Sequence, residues 1–173
     1  PDGGAAPRAD DPLVAALTAP ARHAPESGIV EAMNYGRRRG NVMPLWAGEG
    51  DMPTPSFICE AATRALADGE TFYTWQRGIP ELRESLARYH ARLYGRAFTP
   101  EQFYVTGSGM QAIQIVLAMT VASGDEILLP TPTWPNAAAA TGVLGARAVE
   151  VPMTFGNAGW ALDHERLAAA VTP

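Results

Sequence analysis

A chain of 173 residues with 47% hydrophobic and 18% charged side chains is long and apolar enough for one globular domain, and its composition excludes a disordered protein. Its net charge of −5 argues against a general nucleic-acid binder or a protein of anionic membrane surfaces. The single cysteine, Cys59, excludes a disulfide framework, so a reducing, cytoplasmic location is expected. All 13 basic residues are arginine, so these residues alone cannot complete a reaction that needs a lysine amine.

The first part of the chain predicts an arm that leads into helices. Residues 1–28 are rich in Ala, Pro and Asp and are expected to be mostly extended or mobile. The elements predicted up to the first turn segment are a short helix near 13–17, a helix over 29–35, a solvated turn at 37–39 and a strand or extended entry segment over 42–47.

Two further helices follow, and both carry boundary signals. Thr54 can cap a helix that begins at Pro55 and runs to about Asp68. A second, amphipathic helix is predicted over Pro80–Tyr94, because leucines and a tyrosine recur at helical spacing and Gly95 ends the pattern. The loop between these helices carries three aromatic residues.

The central stretch predicts a strand–helix–strand unit and therefore a parallel sheet covered by helices. Its parts are a strand over Gln102–Thr106, a mostly buried helix over Met110–Val121 and a strand over Glu126–Pro130. The alternation continues with a helix at 136–144, a strand at 147–151, a loop at 153–160 and a helix at 162–171 that Asp163 caps.

Two loops of this unit suggest a ligand site. Ligands of such sheets lie beyond the carboxyl ends of the strands. The turn at Gly107, Ser108 and Gly109 opens a helix, whose free amides and positive dipole end favour an anion. The next loop presents Trp134, an aromatic plane for a flat ring. A phosphate seat beside a stacking plane indicates a phosphorylated aromatic ligand.

A dinucleotide site is the competing interpretation of the same turn. Gly107, Gly109 and Ala112 fit the spacing of the dinucleotide fingerprint. That site requires an acidic residue at the end of the second strand, where this sequence has Leu129-Pro130-Thr131. The lysine of a phosphate-binding P-loop is also absent, so both nucleotide interpretations are weak.

Four motifs in this sequence resemble those of one known family. They are LWAGEGDMPTP, TFYTWQRGIPELRESLARY, FYVTGSGMQAI and LLPTPTWPN, in the order and spacing of the class I/II aminotransferases, which are pyridoxal-phosphate enzymes of fold type I. The resemblance covers roughly residues 28–173. It implies an α/β fold with a doubly wound, mostly parallel sheet. It further implies that 1–47 form an N-terminal arm and small-domain segment, and that 48–173 form the first half of the large, cofactor-binding domain.

The resemblance implies a pyridoxal 5'-phosphate (PLP) site. Ser108, Gly109 and Met110 match the loop whose amides and hydroxyl hold the cofactor phosphate. Trp134 matches the aromatic residue that stacks on the pyridine ring.

The resemblance also implies a shared site and a substrate pocket. Tyr73 matches the tyrosine that reaches the phosphate of the neighbouring subunit, which implies a homodimer. Gly48 matches the glycine whose backbone lines the pocket for the substrate carboxylate. Gly50 and Met52 depart from the residues usual in the family, Pro and Phe, which leaves substrate preference open.

By the same resemblance, the Schiff-base lysine, the acid at the pyridine nitrogen and the arginine that binds the substrate carboxylate lie beyond residue 173. The chain is therefore expected to be the N-terminal portion of an enzyme that transfers an amino group between an amino acid and a 2-oxo acid, and to be inactive alone. No metal, nucleic acid or membrane partner is expected. The alternatives are a non-catalytic, aminotransferase-like ligand-sensing domain and a dinucleotide-binding enzyme.

Overall fold

The computed structural model of the chain describes residues 11–24 and 27–172. Contacts divide the chain into two compact units. The first unit combines the residues up to Trp46 with those from Ala112 onward, and the second comprises Ala47–Gln111. Residues 1–10 of the predicted arm lie outside the described residues.

Helices make up most of the regular structure. They are α1 (Pro12–Ala15), α2 (Ala19–Arg22), α3 (Gly28–Arg39), α4 (Ser56–Ala67), α5 (Pro80–Tyr94), α6 (Gly109–Thr120), α7 (Asn136–Val143) and α8 (His164–Ala169). A 3₁₀ turn over Pro100–Gln102 follows α5. None of the described helices combines the length and apolar character needed to cross a bilayer, and residues 11–24 and 27–172 hold no group of three or more candidate metal ligands.

The parallel sheet of the first unit consists of two strands, β1 (Glu126–Thr131) and β2 (Arg147–Pro152). They pair in parallel from Glu126 opposite Arg147 to Thr131 opposite Pro152, with α7 as the crossover between them. Parallel strands need such a crossover, so this is a strand–helix–strand unit. The prediction of a parallel sheet is confirmed for this pair of strands.

The small core of the first unit lies between α7 and β2. Ala140, Thr141 and Val151 are buried there, and the Thr141 hydroxyl donates to the Ala137 carbonyl at 2.9 Å. That bond satisfies a polar group which burial would otherwise leave without a partner.

The second unit contains α4, α5 and the 3₁₀ turn. Helix α5 has the predicted bounds, with Pro80 in its first turn and Gly95 in the left-handed conformation (φ 65°) directly after it. Ala87 is buried on its inner face together with Arg83, whose guanidinium group turns towards the 3₁₀ turn. Helix α5 therefore packs against that turn within the second unit.

The predicted strand over Gln102–Thr106 is wrong. Gln102 belongs to the 3₁₀ turn, Phe103 is extended (φ −115°, ψ 135°), and residues 103–106 have no strand partner among the described residues. The structure has no strand over 42–47, which leaves the alternative of an extended entry segment. Aromatic and β-branched residues favour an extended backbone, but a strand also needs a neighbouring strand to bind.

The loop predicted over 153–160 is also wrong, because it contains a hairpin. The two strands are β3 (Thr154–Gly156) and β4 (Gly159–Ala161), which pair antiparallel. Phe155 and Trp160 face each other across the pair with ring centroids 4.9 Å apart. A cross-strand aromatic pair of this kind stabilises two short strands.

Several helix boundaries and environments differ from the sequence-based expectation. Arg37–Arg39 are exposed, as predicted, but they form the last turn of α3 instead of a separate turn. Thr54 does not cap α4, because Pro55 is extended (φ −54°, ψ 141°) and takes the N-cap position. Helix α6 has no buried residue, and Val116 and Met119 on it are exposed. Its apolar pattern is helical as predicted, but the described part of the chain covers the helix only in part, and Ala112, Ile113 and Leu117 are half-buried.

Candidate functional site

Helix α6 begins at the predicted phosphate loop, and two side chains arrange its first turn. The Ser108 hydroxyl oxygen accepts a hydrogen bond from the Gln111 amide at 3.1 Å. The side-chain oxygen Oε1 of Gln111 accepts one from the Gly107 amide at 2.7 Å. Ser108 therefore acts as the N-cap of α6, and Gln111 reaches back across it in a variant of the capping box.

This arrangement determines which donors remain for an anion. The amides of Gly107 and Gln111 are used internally. The first amides of a helix have no hydrogen-bond partner within the helix. The amides of Gly109 and Met110 also donate to no other described residue, so both remain available to an anion. One lone pair of the Ser108 hydroxyl oxygen accepts the Gln111 amide proton, so the hydroxyl proton of Ser108 remains available for donation.

The space in front of these donors is open. A methyl group placed on Gly109 would meet no atom within 4 Å, and both Ser108 and Gly109 are exposed. An oxyanion can therefore approach the two amides and the hydroxyl without displacing protein atoms. The residues present fit a phosphate group, which helix N-termini bind through amides and dipole.

The segment that enters this loop is fixed at several points within the second unit. The Val105 amide donates to the Arg77 carbonyl at 3.0 Å, and the Thr106 hydroxyl donates to the Ser108 carbonyl at 2.8 Å. Gly78 has φ 96° and lies against the Val105 side chain. These contacts hold the backbone of the loop in one conformation.

Trp134 lies in the first unit, in the loop between β1 and α7. This loop leaves the carboxyl end of β1, the edge of a parallel sheet at which ligands bind. The Trp134 side chain is 46% exposed, so one part of the indole packs and the rest remains available to a ring. The loop also contains the cis peptide bond Thr131–Pro132.

Tyr73 and Gly48 are both exposed residues of the second unit. The Tyr73 side chain is as accessible as in an isolated peptide, at 107% of the reference area, and it forms no hydrogen bond with the described residues. A methyl group on Gly48 would meet no atom within 4 Å. Both positions can thus contact a molecule outside this chain, which leaves their predicted roles as predictions.

Sequence reasoning missed two residues that shape the loop. Gln111 carried a usable signal, since Ser108 followed three residues later by Gln111 is a capping-box spacing. Arg83 carried none, because a charged residue on an amphipathic helix is ordinarily exposed. In the structure its side chain is buried, and it also helps to hold the pKa of Glu101 below its ordinary value, after a hydrogen bond from the Thr99 side chain and one from backbone.

The structure also bears on the dinucleotide interpretation. The fingerprint is a phosphate site only where a strand leads directly into the glycine turn. The residues before Gly107 are not a strand, and β1 ends at Thr131 without an acidic residue. Both contextual requirements of that interpretation are therefore missing.

Comparison of the sequence with known proteins identifies one matching family and several similar aminotransferases. The profile of the family described as aminotransferase class I and II matches residues 40–173. The aspartate/prephenate aminotransferase of Thermus thermophilus is 41% identical over 138 residues, which cover 79% of this chain and 36% of that protein. The aspartate aminotransferase of Pyrococcus horikoshii is 34% identical over 131 residues, covering 76% and 34%.

Solved structures show the same similarity. The aspartate aminotransferase of Thermus thermophilus with maleate superimposes with a TM-score of 0.79 at 35% identity, covering 90% of this chain and 42% of that chain. The aspartate aminotransferase of Thermotoga maritima gives a TM-score of 0.79 at 27% identity, with the same coverages. The chain thus spans about a third to two fifths of the length of these relatives, and its fold is that of their N-terminal portion.

Proposed function

This chain belongs to the class I and II aminotransferases, and we propose that it forms the phosphate-anchoring part of a PLP-dependent enzyme that transfers an amino group between an amino acid and a 2-oxo acid. The observation that carries the proposal is the first turn of α6. There the free amides of Gly109 and Met110 and the available proton of the Ser108 hydroxyl lie together, before open space.

The chain's own residues would bind and orient the cofactor. Two amides and a hydroxyl hold the phosphate, and hydrogen bonds to a charged group contribute about 1.5–3 kcal/mol each. Trp134 would cover one face of the ring and keep water from it. PLP, when bound, supplies the electron-withdrawing ring that makes the α-proton of an amino acid removable.

Tyr73 and Gly48 extend the proposal to a second subunit and to the substrate. The fully exposed Tyr73 hydroxyl has no partner among the described residues, and we assign it to the phosphate site of another copy of the chain. The open backbone at Gly48 is assigned to the pocket for the substrate carboxylate. The homodimer that follows would contain two shared sites.

The sequence has no lysine. In this proposal the lysine amine that binds PLP would therefore be supplied from outside these 173 residues. The test is therefore a complemented assembly, in which this chain is co-expressed with the part of the Thermus thermophilus aspartate/prephenate aminotransferase that follows the matched region. Purified assembly is titrated with PLP, and then with aspartate, alanine and arginine, amino acids named for relatives and similar structures.

The expected result is a PLP absorbance band that changes when an amino donor is added, together with formation of the 2-oxo acid. The control is the same Thermus segment expressed without this chain, which should give neither. A folded assembly that binds PLP but forms no 2-oxo acid with any donor contradicts the transferase and favours the ligand-sensing alternative. An assembly that binds no PLP contradicts the cofactor assignment itself.

A further inference from the structure

The strongest unexplained feature of the second unit is a buried arginine without a buried acid. Arg83, on α5, is only 8% exposed, and no carboxylate forms a salt bridge with it in the described part of the chain. A buried cation is costly unless its donors are satisfied. The burial of Arg83 must therefore be explained by the hydrogen-bond acceptors of its guanidinium group.

Its partners are backbone carbonyls that lie 17 and 20 residues further along the chain. Nε and Nη2 donate to the Pro100 carbonyl at 3.0 and 2.7 Å, and Nε also donates to the Phe103 carbonyl at 3.2 Å. One planar group thus clamps both ends of the turn that follows α5. Arginine suits this role because its donors form a rigid fork.

The clamped residue Phe103 begins the segment that enters the phosphate loop. Two residues later the Val105 amide binds the Arg77 carbonyl, and the Thr106 hydroxyl binds the Ser108 carbonyl. Three separate sets of hydrogen bonds, joined by the backbone of residues 103–106, therefore lie between Arg83 and Ser108. All of these residues belong to the same compact unit.

We propose that Arg83 is a positioning residue for the phosphate-binding loop. This proposal rests on the function proposed above. Arg83 binds the backbone at Pro100 and Phe103 and thereby orients the segment that leads to Ser108 and the neighbouring amides. A loop that is ordered before binding loses less conformational entropy when the phosphate arrives. Arg83 would thereby raise the affinity for the phosphate without touching it.

The test compares two aldehydes with the same ring, PLP and pyridoxal, of which only PLP carries the phosphate. Their dissociation constants are measured by absorbance in the complemented assembly, for the unchanged chain and for Arg83→Gln, Arg83→Lys and Arg88→Gln. Arg88 is the matched control, since it lies on the same helix but is exposed and pairs with Glu84. The ratio of the two constants isolates the contribution of the phosphate.

Arg83→Gln should weaken PLP binding by about tenfold, the equivalent of ~1.4 kcal/mol, and change pyridoxal binding by less than about twofold. Arg83→Lys keeps the charge but not the fork, so a smaller loss is expected. Arg88→Gln should leave both constants unchanged. Arg83→Lys also supplies the test if the glutamine variant does not fold.

Two results would overturn the proposal. One is an unchanged ratio in every folded Arg83 variant. The other is an equal loss for PLP and pyridoxal, which assigns Arg83 to general stability. If the original chain binds PLP no better than pyridoxal, the result contradicts both the phosphate site at the start of α6 and the proposed function. This comparison needs no variant, so its failure is distinguished from a failure of the Arg83 proposal.

Discussion

The Ser108 hydroxyl oxygen accepts the amide proton of Gln111 at 3.1 Å, so one side chain caps α6 and still presents its own proton to the space before the helix. These two roles can be separated by substitution. Asp is as good an N-cap as Ser, whereas Ala is poor. Only Ser, however, offers a neutral donor to a phosphate.

Ser108→Asp is predicted to leave the stability of the cofactor-free protein within about 0.5 kcal/mol of the original, because the cap is retained. PLP affinity should fall by about 100-fold or more, because two negative charges would lie within a few ångströms in a partly desolvated site. Pyridoxal affinity should hardly change. Thermal unfolding and aldehyde titration of the complemented assembly measure both quantities.

Ser108→Ala serves as the control for that pair of measurements. It should cost about 1 kcal/mol of stability through the lost cap and weaken PLP binding less than the aspartate does. If Ser108→Asp binds PLP as tightly as the unchanged chain, the phosphate is not held at this turn.

Trp134 is predicted to affect the two aldehydes equally. Trp134→Ala removes a stacking plane worth about 0.5–1.5 kcal/mol, so PLP and pyridoxal should each bind roughly 2–13-fold more weakly. Trp134→Phe should restore most of that loss. Stability without cofactor should change little, since nearly half of the indole is exposed. A selective loss of PLP, with pyridoxal unaffected, would refute the stacking role.

Local sequence signals were sufficient where an element depends mainly on its own residues. Helix α5 was predicted to the residue, because leucine spacing, Pro80 and Gly95 act locally. Strands β1 and β2 and helix α7 followed from short apolar runs separated by glycine turns. The cap at Asp163 was also predicted, and its side chain accepts from the Arg166 amide at 3.0 Å.

The sequence was insufficient where the outcome depends on a distant partner. Residues 103–106 have no strand beside them in the described part of the chain, and composition does not encode that absence. The buried state of Arg83 depends on carbonyls 17 and 20 residues away. The stacking role of Trp134 was inferred from its loop after a strand and then matched by the family resemblance. The role of Tyr73 came from the resemblance alone, since an exposed aromatic residue by itself fits many functions.

Replacing two helical glycines by alanine, one at a time, is predicted to change the stability of the protein in different directions. Gly36, inside α3, is buried, and a methyl group there would lie 2.8 Å from Cη2 of Trp46. Gly36→Ala should therefore destabilise the protein by about 1–3 kcal/mol, despite the better helix propensity of alanine.

Gly142 provides the contrasting member of that pair. It lies inside α7, and a methyl group there would meet nothing within 4 Å. Gly142→Ala should be neutral or stabilise by up to about 1 kcal/mol. Denaturant unfolding of both variants measures the difference, and a stabilising Gly36→Ala would disprove the contact with Trp46.

The pKa of Glu101 predicts a small loss of stability in acid. A hydrogen bond from the Thr99 side chain lowers this pKa from its ordinary 4.5, as do a backbone hydrogen bond and the charges of Arg83 and Arg77. The unfolded carboxylate thus takes up its proton first as the pH falls. The stabilising contribution is therefore complete above pH 4.5 and is lost as the pH drops through the lower, folded value.

Glu101→Gln removes the titrating group, so the difference in unfolding temperature between it and the unchanged chain should be largest at neutral pH and shrink below pH 4.5. Thr99→Val removes the largest cause of the shift and should show a weaker acid dependence than the unchanged chain. The side chain is exposed, so the effect is expected to be modest and to diminish in high salt. Parallel curves for Glu101→Gln and the unchanged chain across this range would show that Thr99 and the two arginines do not stabilise the carboxylate.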